Sequence, residues 1–100
     1  MKGISMNYLA EQSYYKIERE LSGTEQLIIT HERTMYLYDN KVVTKHHEFP
    51  IQDVYDISYR RLGGSEGLLY LHTKVGVYSY LLRSDPGLFI EVYRKINKRL

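Results

Sequence analysis

The hydrophobic pattern of this chain changes its period once, at Ser84-Asp85-Pro86. Before this point apolar and polar residues tend to alternate, which is the spacing of a half-buried strand. After it, apolar residues recur every three or four positions and so form one face of a helix: Phe89, Val92, Tyr93, Ile96 and Leu100. Ser84 and Asp85 supply capping oxygens, and proline is tolerated in a first helical turn. The sequence predicts a β domain that ends in one amphipathic helix.

Turn signals divide the rest of the chain into short segments. They predict seven strands, at residues 13–20, 26–30, 34–38, 42–49, 51–61, 68–73 and 76–82. Asp39-Asn40 is read as a tight turn with a left-handed asparagine, Pro50 as a break, and residues 63–67 as a flexible connection. The fold class expected is mainly β: a seven-stranded, strongly bent antiparallel sheet or partly open barrel, capped by one C-terminal α-helix. Residues 1–12 are a polar lead-in, and residues 13–100 form a single domain.

Several classes of protein are disfavoured by composition. The 100 residues include no cysteine, so disulfides, thiolate metal sites and cysteine nucleophiles are excluded. No stretch reaches the roughly 20 apolar residues of a membrane-spanning helix, and residues 1–9 lack the apolar run of a signal peptide. We therefore expect a cytoplasmic protein.

The four histidines do not form a recognisable metal motif. His46 and His47 are adjacent on a predicted strand, so their side chains are expected on opposite faces. The serines and carboxylates show no spacing that would place a base beside a nucleophile. The chain is predicted to have no catalytic residues, no metal ligands and no cofactor, and hence not to be an enzyme.

Seven strands and a closing C-terminal helix resemble the pleckstrin-homology-like (PH-like) fold, in particular its small bacterial versions. The likeness covers roughly residues 13–100 and is carried by residues 29–33, by residues 49–54, and by residues 67–71 followed by 76–78. The resemblance implies a scaffold for ligand binding or protein docking without catalytic machinery. Members that bind phosphoinositides generally place several lysines and arginines around the first hairpin. Residues 18–25 here hold three acids and one base, which disfavours a phosphoinositide ligand.

The chain contains 11 tyrosines, more than a small core readily accommodates. Tyrosine suits both the surface of a sheet and a protein interface, and the composition leaves these two roles open. We hypothesise that the chain docks a protein or peptide at a free sheet edge near residues 36–38 or beside the fifth strand, and that self-association into a homo-oligomer is one form of this docking. The candidate contact residues are Tyr55, Tyr59, Arg60, Arg61, Tyr36 and Tyr38.

The alternative hypothesis is a small β protein that binds single-stranded nucleic acid or RNA. Tyr36, Tyr38, Tyr55 and Tyr59 would then stack on bases. Against it, the net charge of +2 comes entirely from residues 85–100, where basic residues also complement the carbonyl end of a helix. A neutral β region offers little phosphate neutralisation, so docking of a protein or peptide is the preferred hypothesis.

Overall fold

A computed structural model describes residues 7–97 of the chain. These residues form seven strands, a single 3-10 turn and one α-helix. In chain order the elements are β1 (Ala10–Ser22), β2 (Glu25–Leu37), β3 (Lys41–Val43), β4 (Glu48–Pro50), the 3-10 turn Ile51–Asp53, β5 (Val54–Gly63), β6 (Glu66–Thr73), β7 (Gly76–Leu82) and α1 (Gly87–Asn97). The predicted fold class, a mainly β antiparallel domain with one C-terminal helix, is confirmed.

All seven strands belong to one antiparallel sheet with the order β4-β3-β2-β1-β7-β6-β5. The central strand β1 joins the two halves through a single pair, Tyr15 opposite Leu81. So narrow a joint lets the halves bend towards each other. The ring of Phe49 on β4 lies 4.9 Å from that of Tyr78 on β7, measured between centroids, so the sheet folds over on itself. The bend leaves β4 and β5 as the two edges of an open sheet.

The hydrophobic core lies inside this bend and is covered by α1. Residues two apart on a strand share a face, and the fully buried pairs Met35 and Leu37 on β2 and Leu69 and Leu71 on β6 follow this rule. Each such side chain contributes about 1.5–3 kcal/mol by leaving water. The core therefore depends on side chains from both halves of the sheet.

The helix α1 closes the open side of the bend, as the sequence predicted. Phe89, Tyr93 and Ile96 are buried, and Ile90 joins them. The Asp85 carboxylate accepts the Gly87 N–H at 3.1 Å, which satisfies one of the unpaired donors at the helix start. Leu100, the last residue of the predicted stripe, lies outside the described residues.

Two predicted strand divisions were wrong, although the count of seven was right. The predicted strands 26–30 and 34–38 form the single strand β2, because the polar residues 31–33 pair with residues 14–16 of β1 and continue the ladder. The predicted strand 42–49 is two short strands, separated by a turn in which the Thr44 N–H donates to the His47 carbonyl at 2.9 Å. In addition, β1 begins at Ala10, three residues earlier than expected.

Two of the predicted turns differ in conformation from expectation. At Asp39-Asn40 the Tyr38 N–H donates to the Lys41 carbonyl at 2.8 Å, which confirms a tight turn. However, no non-glycine residue between positions 7 and 97 has a positive φ, so Asn40 is not left-handed. Residues 63–67 form no long connection: β5 ends at Gly63 and β6 begins at Glu66, leaving a two-residue turn.

The hairpin of β1 and β2 extends well beyond the rest of the sheet. Past Tyr15, β1 has only β2 as a partner in the described chain, and β2 pairs with β3 only at Tyr36 and Leu37. We call residues 16–31 the arm; none of them is buried. The molecule is accordingly 54 Å long, with a radius of gyration of 15.0 Å, against about 13 Å for a compact domain of this size.

Candidate functional site

Four of the six predicted contact residues lie on one strand. Tyr55, Tyr59, Arg60 and Arg61 belong to β5, which is an edge of the sheet, so the predicted free edge at the fifth strand is confirmed. This edge strand is the candidate functional site.

The structure does not place the other two tyrosines with them. Tyr36 lies on β2 and Tyr38 directly follows it, so three strands separate both from β5 in the sheet order. The predicted free edge at residues 36–38 was wrong, because β3 pairs there, with Val43 opposite Tyr36. The Tyr36 ring packs on Tyr8 at 4.9 Å, and Lys41 Nζ lies 5.4 Å from the centre of the Tyr38 ring.

The eleven tyrosines mostly occupy the surface of the sheet rather than its interior. Tyr14 and Tyr93 are buried, and Tyr55 is exposed. The remaining eight are half-buried: Tyr8, Tyr15, Tyr36, Tyr38, Tyr59, Tyr70, Tyr78 and Tyr80. Their number therefore reflects a sheet whose rings pack on neighbouring strands and does not by itself indicate an interface.

The outer side of β5 carries backbone groups that no strand of residues 7–97 pairs with. The residues flanking a two-residue hairpin turn form a hydrogen-bonded pair, and this alternation continues along the strands. Thr73 and Gly76 flank such a turn, so every second residue of β6 bonds to β7 and the others bond to β5. On β5 the residues bonded to β6 are then Asp56, Ser58 and Arg60. The amides and carbonyls of the alternate residues point away from β6: those of Ile57, which is fully buried, and those of Tyr59 and Arg61, which are half-buried and exposed.

A bulge limits this open edge at its first end. Val54 lies opposite Thr73 and Asp56 opposite His72, so Tyr55 is an extra residue without a partner on β6. Tyr55 is therefore 60% exposed, although a regular strand would place it on the same face as the buried Ile57. The Tyr93 hydroxyl of α1 donates to the Val54 carbonyl at 2.8 Å. The open stretch consequently begins after the bulge.

An open groove of about 600 Å³ lies between β5 and α1. It is lined by Tyr59 on the strand and by Gly87, Ile90, Glu91, Arg94 and Lys95 on the helix. The Tyr59 ring lies directly against Gly67 of β6, where any side chain would overlap with it. Glycine at this position therefore lets Tyr59 lie close against the sheet and form one wall of the groove.

The groove and the edge are more basic than the rest of the molecule. Across β5 and α1 there are four bases, Arg60, Arg61, Arg94 and Lys95, against two acids, Asp56 and Glu91. Lys95 pairs with Glu91 at 3.5 Å, and Arg61 donates to the Gly64 carbonyl at 3.0 Å. Arg60 and Arg94 are exposed and have no ion-pair partner within residues 7–97. The edge and the groove therefore carry unpaired positive charge at these two arginines.

Sequence reasoning missed the helix side of the groove. Gly87, Ile90 and Arg94 are three and four residues apart and therefore share one side of α1, next to its buried stripe. The basic residues also complement the carbonyl end of this helix, and that explanation of their charge does not point to a groove. The spacing itself was visible in the sequence, but which side of the stripe borders β5 depends on how the helix docks.

A second cavity, of about 180 Å³, opens where the two halves of the sheet diverge. Its walls include Tyr14, Tyr80, Thr44, Arg33 and His47. The Tyr14 hydroxyl accepts the Lys45 N–H at 3.0 Å. The Tyr80 hydroxyl is buried and lies near Thr44, but the two side chains do not form a hydrogen bond of normal geometry. Burial is the main reason that the pKa of Tyr80 rises to about 12.

The raised pKa of Tyr80 predicts a loss of stability at high pH. Between pH 10 and 12 the unfolded chain loses this proton and the folded chain keeps it, so the free energy of unfolding falls as the pH rises, by at most about 2 kcal/mol. Tyr80→Phe should abolish this part of the pH dependence and change stability at pH 7 by less than about 0.5 kcal/mol.

The control for this prediction is Tyr14→Phe, which leaves the Lys45 N–H without its acceptor and should cost about 1 kcal/mol at pH 7. Urea unfolding of the three proteins at pH 7 and pH 11 separates the effects. A wild-type protein and a Tyr80→Phe variant with the same pH dependence would contradict the assignment.

The histidines occupy several separate positions. His46 and His47 lie in the turn between β3 and β4, so the expectation that they alternate on a strand was wrong. His31 Nε2 lies 3.5 Å from the Glu18 carboxylate on the arm, and His72 Nε2 lies 2.8 Å from Ser58 Oγ. Within residues 7–97, no three histidine or acidic side chains are grouped closely enough to hold a metal ion.

No helix in the described part of the chain is long and apolar enough to cross a bilayer. Comparison with family models, with curated proteins and with solved structures gave no significant match.

Proposed function

We propose that this chain is a non-catalytic, PH-like interaction module that binds an extended acidic segment of another protein along β5. The observation that carries the proposal is the open edge of β5 at Tyr59 and Arg61, whose outward backbone groups have no partner strand, and Tyr59 also lines the groove beside α1. An extended peptide can add to such an edge through main-chain hydrogen bonds. The strand order and the helix that covers the bend support the PH-like assignment.

The side chains around the edge supply selectivity in this proposal. Successive residues of an added strand point to opposite faces of the sheet. Arg61 lies on the same face as the core residue Ile57, and Arg60 lies on the opposite, outer face. Acidic residues on either face of the peptide would therefore meet an arginine, and those facing α1 would also meet Arg94.

The proposal is tested by selecting nine-residue peptides from a phage-displayed library on the immobilised protein. Selected sequences should be rich in aspartate and glutamate and poor in internal proline. For a selected peptide, the double variant Arg60→Glu with Arg61→Glu should raise Kd about tenfold, because two attractive cross-strand pairs become repulsive. Arg19→Glu, the same charge change on the exposed arm, should leave Kd unchanged.

Equal binding by the wild-type protein and the double variant would contradict the proposal. Salt-sensitive binding of a mixed oligonucleotide that is lost in the double variant would favour the nucleic-acid alternative instead.

A further inference from the structure

The outer edge of β2 in the arm is a second open strand edge, separate from the peptide site. Along β2 the Leu37 carbonyl accepts the Leu9 N–H beside β1, whereas the Tyr38 N–H donates towards β3. Along β2, odd-numbered residues therefore bond to β1, and even-numbered residues point their N–H and C=O groups to the other edge. In the arm these even-numbered residues are Gln26, Ile28 and Thr30, and Glu32 follows just beyond it. No strand of residues 7–97 pairs with them.

The arm edge is also unusually apolar for an exposed strand. Leu27, Ile28 and Ile29 follow each other without a charge, and Ile28 is 66% exposed. A two-stranded ribbon is marginally stable alone, and an exposed apolar edge is a template for pairing with another strand. The open edge of β2 in the arm is therefore suited to pairing with a strand of a partner.

We propose that the partner is a second copy of this chain, bound through antiparallel pairing of β2 with β2 about a two-fold axis at Ile29. In this register Ile28 lies opposite Thr30 of the second copy, and Leu27 lies opposite His31. Glu25 lies opposite Arg33, and this pair occurs twice because of the symmetry. Neither Glu25 nor Arg33 has an ion-pair partner within residues 7–97, so the second copy supplies the missing charge for both.

Symmetric arrangements centred on the charged residues of β1 in the arm, or on the neighbours of Ile29, are less complementary. On the β1 side of the arm, two-fold pairing centred on Glu18, Arg19 or Glu20 places two carboxylates opposite each other, which is destabilising. On β2, a two-fold axis at Thr30 would place the apolar Ile28 opposite the charged Glu32. A two-fold axis at Ile28 would place His31, and not Arg33, opposite Glu25. The register at Ile29 is the one that pairs both free charges.

Charge reversal provides the first test, read out as the dimer dissociation constant from sedimentation velocity. Glu25→Arg and Arg33→Glu should each weaken the dimer about tenfold or more, because both symmetric pairs become repulsive. An equal mixture of the two variants should associate as the wild type does. In the mixed dimer, both arginines of the Glu25→Arg chain lie opposite glutamates of the Arg33→Glu chain. Glu20→Arg, on the β1 strand of the arm, should leave the dimer unchanged.

A cysteine scan provides a second test that does not depend on charge. The chain has no cysteine, so a single Ile29→Cys variant places its only thiol on the proposed axis, next to the same thiol of the second copy. Residues opposite each other in a non-hydrogen-bonded pair are close enough for a disulfide. Oxidation by diamide, which accepts the two electrons and two protons, should cross-link Ile29→Cys covalently and leave Ile28→Cys without a cross-link.

The dimer is supported by restored association in the mixture together with cross-linking at position 29. A wild-type chain that remains monomeric at millimolar concentration would overturn it, as would a mixture no better associated than its components or equal cross-linking at positions 28 and 29. The peptide site on β5 is a different surface, so peptide binding measured on the same variants stays unaffected whichever result is obtained.

Discussion

Replacing Phe89 by alanine is expected to lower the free energy of unfolding by about 3–5 kcal/mol. Phe89 is 1% exposed and packs at the start of α1, where the helix covers the bend of the sheet. Its removal leaves a cavity between two elements that are far apart in sequence. Since a domain of this size has a total stability of about 5–15 kcal/mol, the loss should be a large part of it.

The neighbouring Leu88 is the matched control for Phe89. It is 71% exposed on the same turn of α1, so Leu88→Ala should change stability by less than about 0.5 kcal/mol. Urea unfolding followed by circular dichroism measures both variants. Similar losses for the two would mean that α1 does not dock through the predicted stripe.

Replacing Ile57 by alanine should cost about 2–5 kcal/mol, the second largest effect we expect. Ile57 is fully buried on β5, between the sheet and α1. Tyr55 is only two residues away and would share this burial if β5 were regular. Because the bulge turns it outward, Tyr55→Ala should change stability by less than about 0.5 kcal/mol.

Thermal and urea unfolding of these two β5 variants test the bulge itself. A cost for Tyr55→Ala comparable to that for Ile57→Ala would restore the regular alternation read from the sequence. It would also mean that β5 has no bulge at Tyr55 to limit its open edge.

The helix and the last hairpin could be predicted because their signals are local. Capping oxygens, proline and a three-and-four apolar spacing lie within residues 84–96, and they require no knowledge of the rest of the fold. The hairpin of β6 and β7 likewise follows from alternation on either side of Lys74-Val75. In both cases the segment and its immediate neighbours determine the structure.

The first half of the sheet was harder to predict because its boundaries depend on tertiary pairing. Residues 31–33 are polar and read as a break, but they pair with β1 and continue β2. The arm presents the converse problem, because Leu27 and Ile28 read as half-buried strand residues and are exposed. Which face of a strand is covered depends on elements that the local pattern does not specify.

The candidate site was predicted on its strand side only. Tyr55, Tyr59, Arg60 and Arg61 were assigned to one segment, and the structure places that segment at a sheet edge. Ile90 and Arg94 were not assigned, because their contact with the groove depends on the docking of α1. Tyr36 and Tyr38 were grouped with β5 by residue type, although the sheet order separates them.

Amide hydrogen exchange along β5, measured by NMR with and without a selected acidic peptide, tests the central claim most directly. In the free protein, the amides of Tyr59 and Arg61 should exchange much faster than those of Ser58 and Arg60, which bond to β6. With peptide bound, these two fast amides should become protected as they bond to the added strand. Protection that appears elsewhere, with both amides still exchanging fast, would contradict docking at the β5 edge.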